Sequence, residues 1–242
     1  MLLRAETPAL PERIDYDPDL ALARLRRPAH GRSIVVGQLG QSLDGRIATP
    51  TGASKYINGT EALRHLHRIR ASVDAVVVGV GTAIADDPQL TTRHVPGPNA
   101  TRVVIDPKGR LPRHLRMLQD GVSPVIVISP DDAVTPDGAE RLAVQSTPQG
   151  HMCPVQIVRA LSARGMRKIL VEGGAETLAR FLNAGAIDEL HLMVAPIVLG
   201  SGKTGLNLDP IESLDEAVRP RVRTMRFEDG ELLCLCEMPQ AS

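Results

Sequence analysis

The chain has 242 residues, of which 43% are hydrophobic and 23% charged, a composition typical of a folded globular protein. Its 28 basic and 28 acidic residues give a formal net charge of +0, which argues against nucleic acid or an anionic membrane as a partner. Aromatic residues make up only 2% of the chain, so platforms for stacking single-stranded bases are scarce.

Segments that would direct the chain to a membrane or out of the cell are not evident in the sequence. The first residues lack the basic region and apolar core of a signal peptide, and no apolar stretch reaches roughly 18 residues. The three cysteines, Cys153, Cys234 and Cys236, lack the spacing of a disulfide framework. We therefore expect a cytoplasmic protein with reduced thiols.

Residues 1–30 are rich in Pro, Arg and Asp and carry one short helical pattern over 19–26, so we interpret them as an N-terminal extension. From 31 to 242 the chain alternates apolar strand patterns with helical patterns and has no long linker, which predicts a single domain. The predicted strands are 33–39, 73–80, 102–105, 125–128, 168–171 and 189–195. The predicted helices are 60–71, 155–164 and 176–184.

The last part of the chain predicts a hairpin. Strand patterns at 222–228 and 231–236 flank Asp229-Gly230, a dipeptide typical of a two-residue β-turn. Strands that alternate with helices form a parallel sheet, whereas the two strands of a hairpin are antiparallel. We therefore predict an α/β fold with a mixed, mostly parallel sheet, helices on its faces and a C-terminal antiparallel hairpin.

The sequence allows two interpretations for each of two loops that follow strands. Ser42–Thr49 follows the first strand, and its Asp44-Gly45 pair favours a turn at the carboxyl end of that strand, where open α/β sheets bind ligands. This turn either contacts a ligand or is a plain surface turn. The strand over 189–195 leads into Pro and then Gly200-Ser-Gly202, which is either a hinge or lid over a ligand or an ordinary loop.

The stretch Ala75–Leu90 is an apolar strand pattern that ends in Gly79-Val-Gly81, followed by Thr82. A dinucleotide fingerprint would need a third glycine where this chain has Ile84. We favour a short helix opened by Thr82, whose hydroxyl and N–H groups face an anion. Asp86 and its neighbour could accept hydrogen bonds from a ribose or an amide, or the following Asp-Pro could merely end a helical turn.

A second glycine-rich turn lies at Ile169–Leu178, where a strand ends in Glu172 and Gly173-Gly174 lead into a helix. Glycines let the backbone approach a ligand, and a helix N-terminus favours phosphate. Glu172 is then well placed to touch the reacting part of the ligand. The alternative is an ordinary strand-to-helix turn.

Charged and titratable residues near these turns suggest an anion clamp rather than a metal site. Arg70 ends the helix before the second strand, and Arg93 follows the Asp-Pro turn; together they would bind a substrate phosphate well. His65 and His67 are two apart on a helix, so they point in different directions and we predict no metal.

Taken together, these motifs resemble the reductase domain of the bifunctional deaminase-reductase family of riboflavin biosynthesis. The resemblance covers roughly residues 33–202 and rests on Ser42–Ala48, Gly52-x-Ser54-x-Tyr56-Ile, His67-x-Ile-Arg70, Val78–Thr91, Val171–Gly174, Asp188–Leu190 and Ala195–Gly200. It implies a dihydrofolate-reductase-like fold over 31–242, NADPH as the cofactor and a homodimer.

The resemblance also implies an activity: the ribosylamino group of a phosphoribosylaminopyrimidine is reduced to a ribitylamino group, with hydride delivered to C1′ of the sugar. Many bacterial members carry a zinc deaminase in front of the reductase. The deaminase motifs H-x-E and P-C-x-x-C are absent from this sequence, so we expect a stand-alone reductase.

Residue roles follow from the resemblance position by position. The implied substrate contacts are Ser54, Arg70, Leu90, Arg93 and Glu172. The candidate NADPH contacts are Gly40, Tyr56, Gly79, Gly81, Thr82, Asp86, Gly173, Gly174, Ala175 and Glu176. The candidate catalytic residues are Glu172 and Gln38.

Two departures from the pattern leave the substrate open. Many bacterial fused enzymes have Lys where this chain has Gln38, and Trp where it has Tyr56; a glutamine can only hydrogen-bond. One alternative is therefore a dihydrofolate or pterin reductase on the same fold. The other is a non-catalytic nucleotide-binding paralogue, since no acid or base is obvious. Whether the pyrimidine is deaminated also stays open.

Overall fold

A computed structural model describes residues 14–29, 31–54, 57–147 and 150–239. Its helices are α1 (Pro18–Ala21), α2 (Ala23–Arg26), α3 (Thr60–Arg70), α4 (Val80–Asp86), α5 (Arg116–Gln119), α6 (Pro154–Ala163) and α7 (Ala175–Asn183). Its strands are β1 (Ile34–Ser42), β2 (Arg46–Ala48), β3 (Ala75–Gly79), β4 (Thr101–Ile105), β5 (Val125–Ser129), β6 (Glu140–Ala143), β7 (Lys168–Glu172), β8 (Glu189–Ala195), β9 (Lys203–Thr204), β10 (Arg221–Arg226) and β11 (Leu232–Glu237). Within these ranges no helix is both long and apolar enough to cross a membrane.

The main sheet has the order β10-β11-β8-β1-β7-β3-β4-β5-β6. Every neighbouring pair from β8 to β6 is parallel, whereas β11 runs antiparallel to β8 and β10 runs antiparallel to β11. The prediction of a mixed, mostly parallel sheet with a C-terminal antiparallel pair is therefore confirmed. Strands β2 and β9 form a separate two-stranded sheet.

The central strands are buried on both faces, which explains their unbroken apolar sequences. On β3, Val77 belongs to the core on one face of the sheet, and Val76 belongs to the core on the other face. The first core also contains Leu178 and Phe181 of α7, and the second contains Ile69 of α3. Helices therefore cover both faces, and the strand ends remain as the place for a ligand.

Several elements differ from the sequence prediction: α4 begins at Val80 and not at Thr82, and β2, β9 and α5 were not predicted. Strand β6 pairs with β5 at the edge of the sheet, but its residues are mostly exposed and give no apolar pattern to recognise. The hairpin between β10 and β11 has a three-residue turn, so the predicted two-residue turn is wrong. Phe227 pairs with Glu231 (N···O 2.9 Å), and Gly230 closes the turn at φ 92°, which favours glycine.

The described part of the N-terminal extension packs against the domain. The helical pattern over 19–26 forms two short helices, α1 and α2, in which Ala21 and Leu25 are each 1% exposed. The ring of Tyr16 lies 4.6 Å from that of Phe227 in the hairpin turn. Residues 14–29 therefore contribute to the core beside the hairpin.

Candidate active site

The two candidate catalytic residues lie side by side at the carboxyl ends of two central strands. Gln38 on β1 is the register partner of Glu172 on β7, and parallel neighbours in register project their side chains to the same face. Gln38 is buried. Two residues that are 134 positions apart in the sequence therefore form one polar patch at the strand edge.

Arg70 connects this patch to α3. Its guanidinium binds both carboxylate oxygens of Glu172, with Nε donating to Oε2 at 2.8 Å and the second nitrogen donating to Oε1. Its third nitrogen donates to the carbonyl oxygen of Thr91 at 2.9 Å. The ion pair is nearly closed to solvent, since the two side chains are 7% and 12% exposed. A bidentate pair of this kind orients both partners.

The loop after α4 carries unusual backbone conformations. Among the described residues, only Asp87 (φ 39°) and Leu90 (φ 54°) have positive φ without being glycine, which costs energy for an L-residue. Arg116 binds the Asp87 carboxylate and carbonyl. Leu90 is only 2% exposed and belongs to the core, so its predicted substrate contact stays a prediction.

Arg93 follows on the same loop and is exposed. Its guanidinium donates to Gln89 Oε1 and Thr91 Oγ1, each at 2.8 Å, and among the described residues it forms no ion pair. Partial burial and the neighbouring charges of Arg70 and Arg116 lower the pKa of Arg93. Positive charge is thus concentrated here, as an anion site requires.

The two glycine-rich turns meet through a reciprocal contact. Gly79 precedes the first residue of α4 and Gly174 precedes that of α7. A Cβ on Gly174 would stand 2.6 Å from Oγ1 of Thr82 on α4, and a Cβ on Gly79 would overlap Oγ1 of Thr177 on α7. Each glycine therefore makes room for a threonine of the opposite helix.

A pocket of about 390 Å³ opens beside this contact and is lined by Gly79, Gly81, Glu176 and Thr177. The pocket wall also holds the basic side chains Lys108, Arg110 and Arg180, together with His151. Glu176 pairs with Arg180 at 2.7 Å along α7. Sequence reasoning missed Lys108 and Arg110, because only the parallel pairing of β3 with β4 and with β7 brings the loop after β4 beside α7.

Asn58, in the segment before α3, packs against Gly40 on β1. A Cβ on Gly40 would overlap Oδ1 of Asn58, so any larger residue at this point of β1 would displace the Asn58 amide. The Asn58 amide donates to Glu231 Oε1 at 3.3 Å. Ser54 is exposed on this segment. Tyr56, a candidate NADPH contact, lies outside the described residues.

Among the described candidates for NADPH contact, Gly40, Thr82, Gly173, Gly174 and Ala175 do not line the pocket beside α7, and neither does Asp86. Asp86 lies at the far end of α4 from Gly79 and is exposed. A helix rises about 1.5 Å per residue, so five residues separate Asp86 from Gly81 by about 7.5 Å. Any NADPH contact of Asp86 would lie away from that pocket.

The two loops whose role the sequence left open are joined by Asp44. Its carboxylate accepts hydrogen bonds from the Ser42 hydroxyl at 2.6 Å and from the N–H groups of Leu199 at 3.0 Å and Gly200 at 2.8 Å. These bonds, led by that of Ser42, lower the pKa of Asp44 to about 2. The turn at Asp44 thus anchors the Gly200 loop instead of standing alone.

The two histidines of α3 have separate partners. His65 Nε2 lies 2.8 Å from His191 Nδ1, and His67 Nδ1 accepts the backbone N–H of Arg93 at 3.0 Å. Over the described ranges, no group of three or more His, Cys, Asp or Glu side chains is placed to hold a metal ion.

A family model described as the RibD C-terminal domain matches residues 33–230, and the chain belongs to this family. A relative from Methanothermobacter thermautotrophicus, named 2,5-diamino-6-ribosylamino-4(3H)-pyrimidinone 5′-phosphate reductase, is 34% identical over 196 residues, or 78% of this chain and 90% of the relative. The riboflavin biosynthesis protein RibD of Aquifex aeolicus is 34% identical over 75% of this chain but only 51% of its own length.

Solved structures agree with this assignment. The fold is similar to that of the diaminohydroxyphosphoribosylaminopyrimidine deaminase/5-amino-6-(5-phosphoribosylamino)uracil reductase of Thermotoga maritima, with 29% identity and a TM-score of 0.72 over 87% of this chain and 58% of that one. The riboflavin biosynthesis reductase of Saccharomyces cerevisiae has a TM-score of 0.76 over 93% of this chain and 100% of its own, and its 18% identity supports the fold alone.

Proposed function

We propose that the protein is an NADPH-dependent reductase of riboflavin biosynthesis. Its substrate would be a 5-phosphoribosylaminopyrimidine, either 5-amino-6-(5-phosphoribosylamino)uracil or its 2,5-diamino precursor, and its product the ribitylamino compound. The observation that carries this proposal is the single strand edge that holds both the glycine-rich turns and the Arg70–Glu172 pair. The name of the archaeal relative, of which this chain covers 90%, supports the same substrate class.

The pocket beside α7 fits the phosphates of NADPH, which supplies the hydride when bound. Gly173 and Gly174 lie at the start of α7 with φ values of 66° and 68°, and because glycine has no Cβ a phosphate can approach their backbone N–H groups. Lys108 and Arg110 also line the pocket and add positive charge. We infer that these two side chains select the extra phosphate that distinguishes NADPH from NADH.

The substrate would lie across the polar patch at the strand edge. Arg93 and Arg70 would bind its phosphate or other polar ends, with Ser54 closing the site from the exposed segment. Glu172 acts as a hydrogen-bond acceptor, since both its oxygens already bind Arg70. Gln38 beside it is a neutral hydrogen-bonding group. Catalysis then depends mostly on holding the sugar carbon against the cofactor and excluding water.

The test is the oxidation of NADPH by the purified protein with each phosphoribosylaminopyrimidine, using dihydrofolate as a comparison. We expect turnover of one of the two pyrimidines and complementation of a strain that lacks this reductase step. A Lys108→Glu, Arg110→Glu variant should lose its preference for NADPH over NADH. Turnover of neither pyrimidine would refute the proposal, and faster turnover of dihydrofolate would establish a different reductase.

We also propose a homodimer, formed through the segment that leads into β10. Apolar side chains that are 36–78% exposed occur along it: Leu208, Ile211, Leu214, Val218 and Val222. The first half of this segment is acidic and carries Asp209, Glu212, Asp215 and Glu216. The second half is basic and carries Arg219, Arg221 and Arg223. Among the described residues, none of these side chains forms an ion pair. A twofold axis would place each half against the opposite charge of a second copy.

Light scattering after gel filtration tests this assembly. The wild type should have the mass of a dimer, and the double variant Arg221→Glu, Arg223→Glu should have that of a monomer. Reversing the acidic half as well, with Glu212→Arg and Asp215→Arg, should restore the dimer because the charges are again complementary. A wild-type monomer would refute this interface, and so would an Arg221→Glu, Arg223→Glu variant that stays dimeric.

The cytoplasm is the compartment that we propose for this reaction. The three cysteines, Cys153, Cys234 and Cys236, all carry free thiols. Free thiols are typical of a reducing compartment. Fluorescence of a tagged full-length chain in cells tests the location.

A further inference from the structure

Helix α3 holds the loop of Arg93 at two points. Arg70 donates to the carbonyl oxygen of Thr91 at 2.9 Å. One turn earlier on the same face of the helix, His67 Nδ1 accepts the backbone N–H of Arg93 at 3.0 Å. The motif that contains His67 contributed to the family resemblance, but no role follows for His67 from the proposed reaction.

The hydrogen bond to Arg93 determines the state of the His67 ring. Since Nδ1 accepts an N–H, the single proton of the neutral imidazole must lie on Nε2. The ring is fully buried, and burial together with the charges of Arg70, His94 and Arg93 lowers the pKa of His67 to about 3. The ring therefore stays neutral, and Nδ1 stays an acceptor, at any pH at which the enzyme would work.

The other ring nitrogen adds nothing to stability through hydrogen bonding. His67 Nε2 is buried and has no hydrogen-bond partner among the described residues. A buried donor without a partner lowers the free energy of unfolding, whereas an apolar side chain of similar volume would not. What the ring contributes is the acceptor at Nδ1.

The loop itself needs to be held. Asp87 and Leu90 have positive φ, a conformation that persists only where surrounding contacts enforce it. The Leu90 side chain is buried and Arg116 binds Asp87, so the first part of the loop is fixed. Arg93 is exposed beyond these anchors, and its backbone N–H donates to His67.

We propose that His67 is a positioning residue that fixes the backbone of Arg93 and so aims its guanidinium at the phosphate end of the substrate. This inference rests on the proposed role of Arg93 in substrate binding. It assigns to His67 a function in affinity, not in the chemical step.

Two substitutions distinguish the effect of the Nδ1 acceptor from the effect of the volume of the ring. His67→Leu removes the acceptor and the unpartnered donor, so KM for the phosphoribosylaminopyrimidine should rise about 10-fold with kcat within about twofold, while the melting temperature stays equal or rises. His67→Asn places Oδ1 near the position of Nδ1 and should recover most of the lost affinity. An unchanged KM in His67→Leu, or an equal loss in both variants, would overturn the proposal.

A double-mutant cycle shows whether His67 acts through Arg93. In an Arg93→Gln background, His67→Leu should raise KM by less than about twofold, because the group that it positions is gone. Additive effects of the two substitutions would mean that His67 does not act through Arg93.

A measurement without turnover keeps this inference separate from the proposed function. NMR of histidine-labelled protein should show His67 protonated at Nε2 alone between about pH 5 and 8. Titration with inorganic phosphate should show weaker binding in His67→Leu than in the wild type or His67→Asn. If the wild type reduces neither pyrimidine but these results hold, only the proposed function fails; equal phosphate binding in all three proteins refutes the role of His67.

Discussion

Oγ1 of Thr82 lies 2.6 Å from the point at which a Cβ on Gly174 would stand. Thr177 has the matching relationship to Gly79, so the first turns of α4 and α7 interlock through two glycine–threonine contacts. Both helices begin at the carboxyl ends of parallel strands, β3 and β7. The interlock therefore holds the two glycine-rich turns in a fixed relation beside the pocket that we assign to NADPH.

The first prediction concerns this interlock. Gly174→Ala should weaken NADPH binding strongly, because the new Cβ would displace Thr82 and alter the start of α7. The positive φ of 68° adds a backbone cost of about 1–2 kcal/mol in the free energy of unfolding. Isothermal titration with NADPH and urea denaturation measure the two effects.

Gly121→Ala is the matched control for that variant. Gly121 has φ 62°, and nothing lies within 4 Å of the point at which its Cβ would stand. It should show the same backbone cost with unchanged NADPH affinity. Equal NADPH affinity in both variants would mean that the interlock does not shape the cofactor site.

The second prediction concerns the buried ion pair of Arg70 and Glu172. Glu172→Gln leaves the Arg70 guanidinium buried without its counter-charge, so the free energy of unfolding should fall by about 3–5 kcal/mol. Urea denaturation measures this change. The exposed pair of Arg26 and Asp19 is the control, and Asp19→Asn should cost about 1 kcal/mol or less. Similar losses in both variants would contradict a buried, orienting pair.

The third prediction is that the stability of the protein depends on the protonation of Asp44 at acid pH. The pKa of Asp44 in the folded protein is about 2, below the usual 3.8, so its contribution to stability is complete above about pH 4 and is lost as the pH falls toward 2. The melting temperature of Asp44→Asn should therefore lie below that of the wild type at neutral pH, with a gap that closes toward pH 2. A gap that does not change with pH would contradict the hydrogen bonds to Leu199 and Gly200.

The fourth prediction concerns Glu231, where stability should change with pH in the opposite direction to that at Asp44. Glu231 as a residue is 4% exposed, and burial raises the pKa of its carboxyl above the usual 4.5, with a further contribution from the charge of Asp229. Because the folded protein binds this proton more tightly, the stability is greatest below about pH 4.5 and falls as the pH rises through the folded-state pKa.

Glu231→Gln removes this titration and keeps an acceptor for the backbone N–H of Gly59, which now donates to Oε1 at 2.8 Å. Its melting temperature should equal or exceed that of the wild type at pH 7, with a margin that shrinks as the pH falls toward about 4.5. Glu231→Leu lacks the acceptor and should be less stable than both. A Glu231→Gln variant that loses stability at neutral pH would show that the charge itself is needed there.

Much of the fold followed from patterns local in the sequence. The apolar runs that became β3, β5 and β7 could be recognised because a strand buried on both faces needs apolar residues at every position. The helices α3, α6 and α7 were recognisable from the 3.6-residue spacing of their apolar side chains. Strand β6 was not, because an exposed edge strand places no such demand on its side chains.

The sequence by itself determined most of the strands and helices and their order, the glycines that a positive φ requires at 173 and 174, and the motifs of the family. Only the tertiary structure decided which distant polar groups meet. Arg70 binds Glu172, Asp44 holds the Gly200 loop, and His67 holds Arg93, in each case across a separation that no local periodicity reports. The physical reason is that secondary structure depends on neighbours along the chain, whereas these contacts depend on the strand order of the sheet.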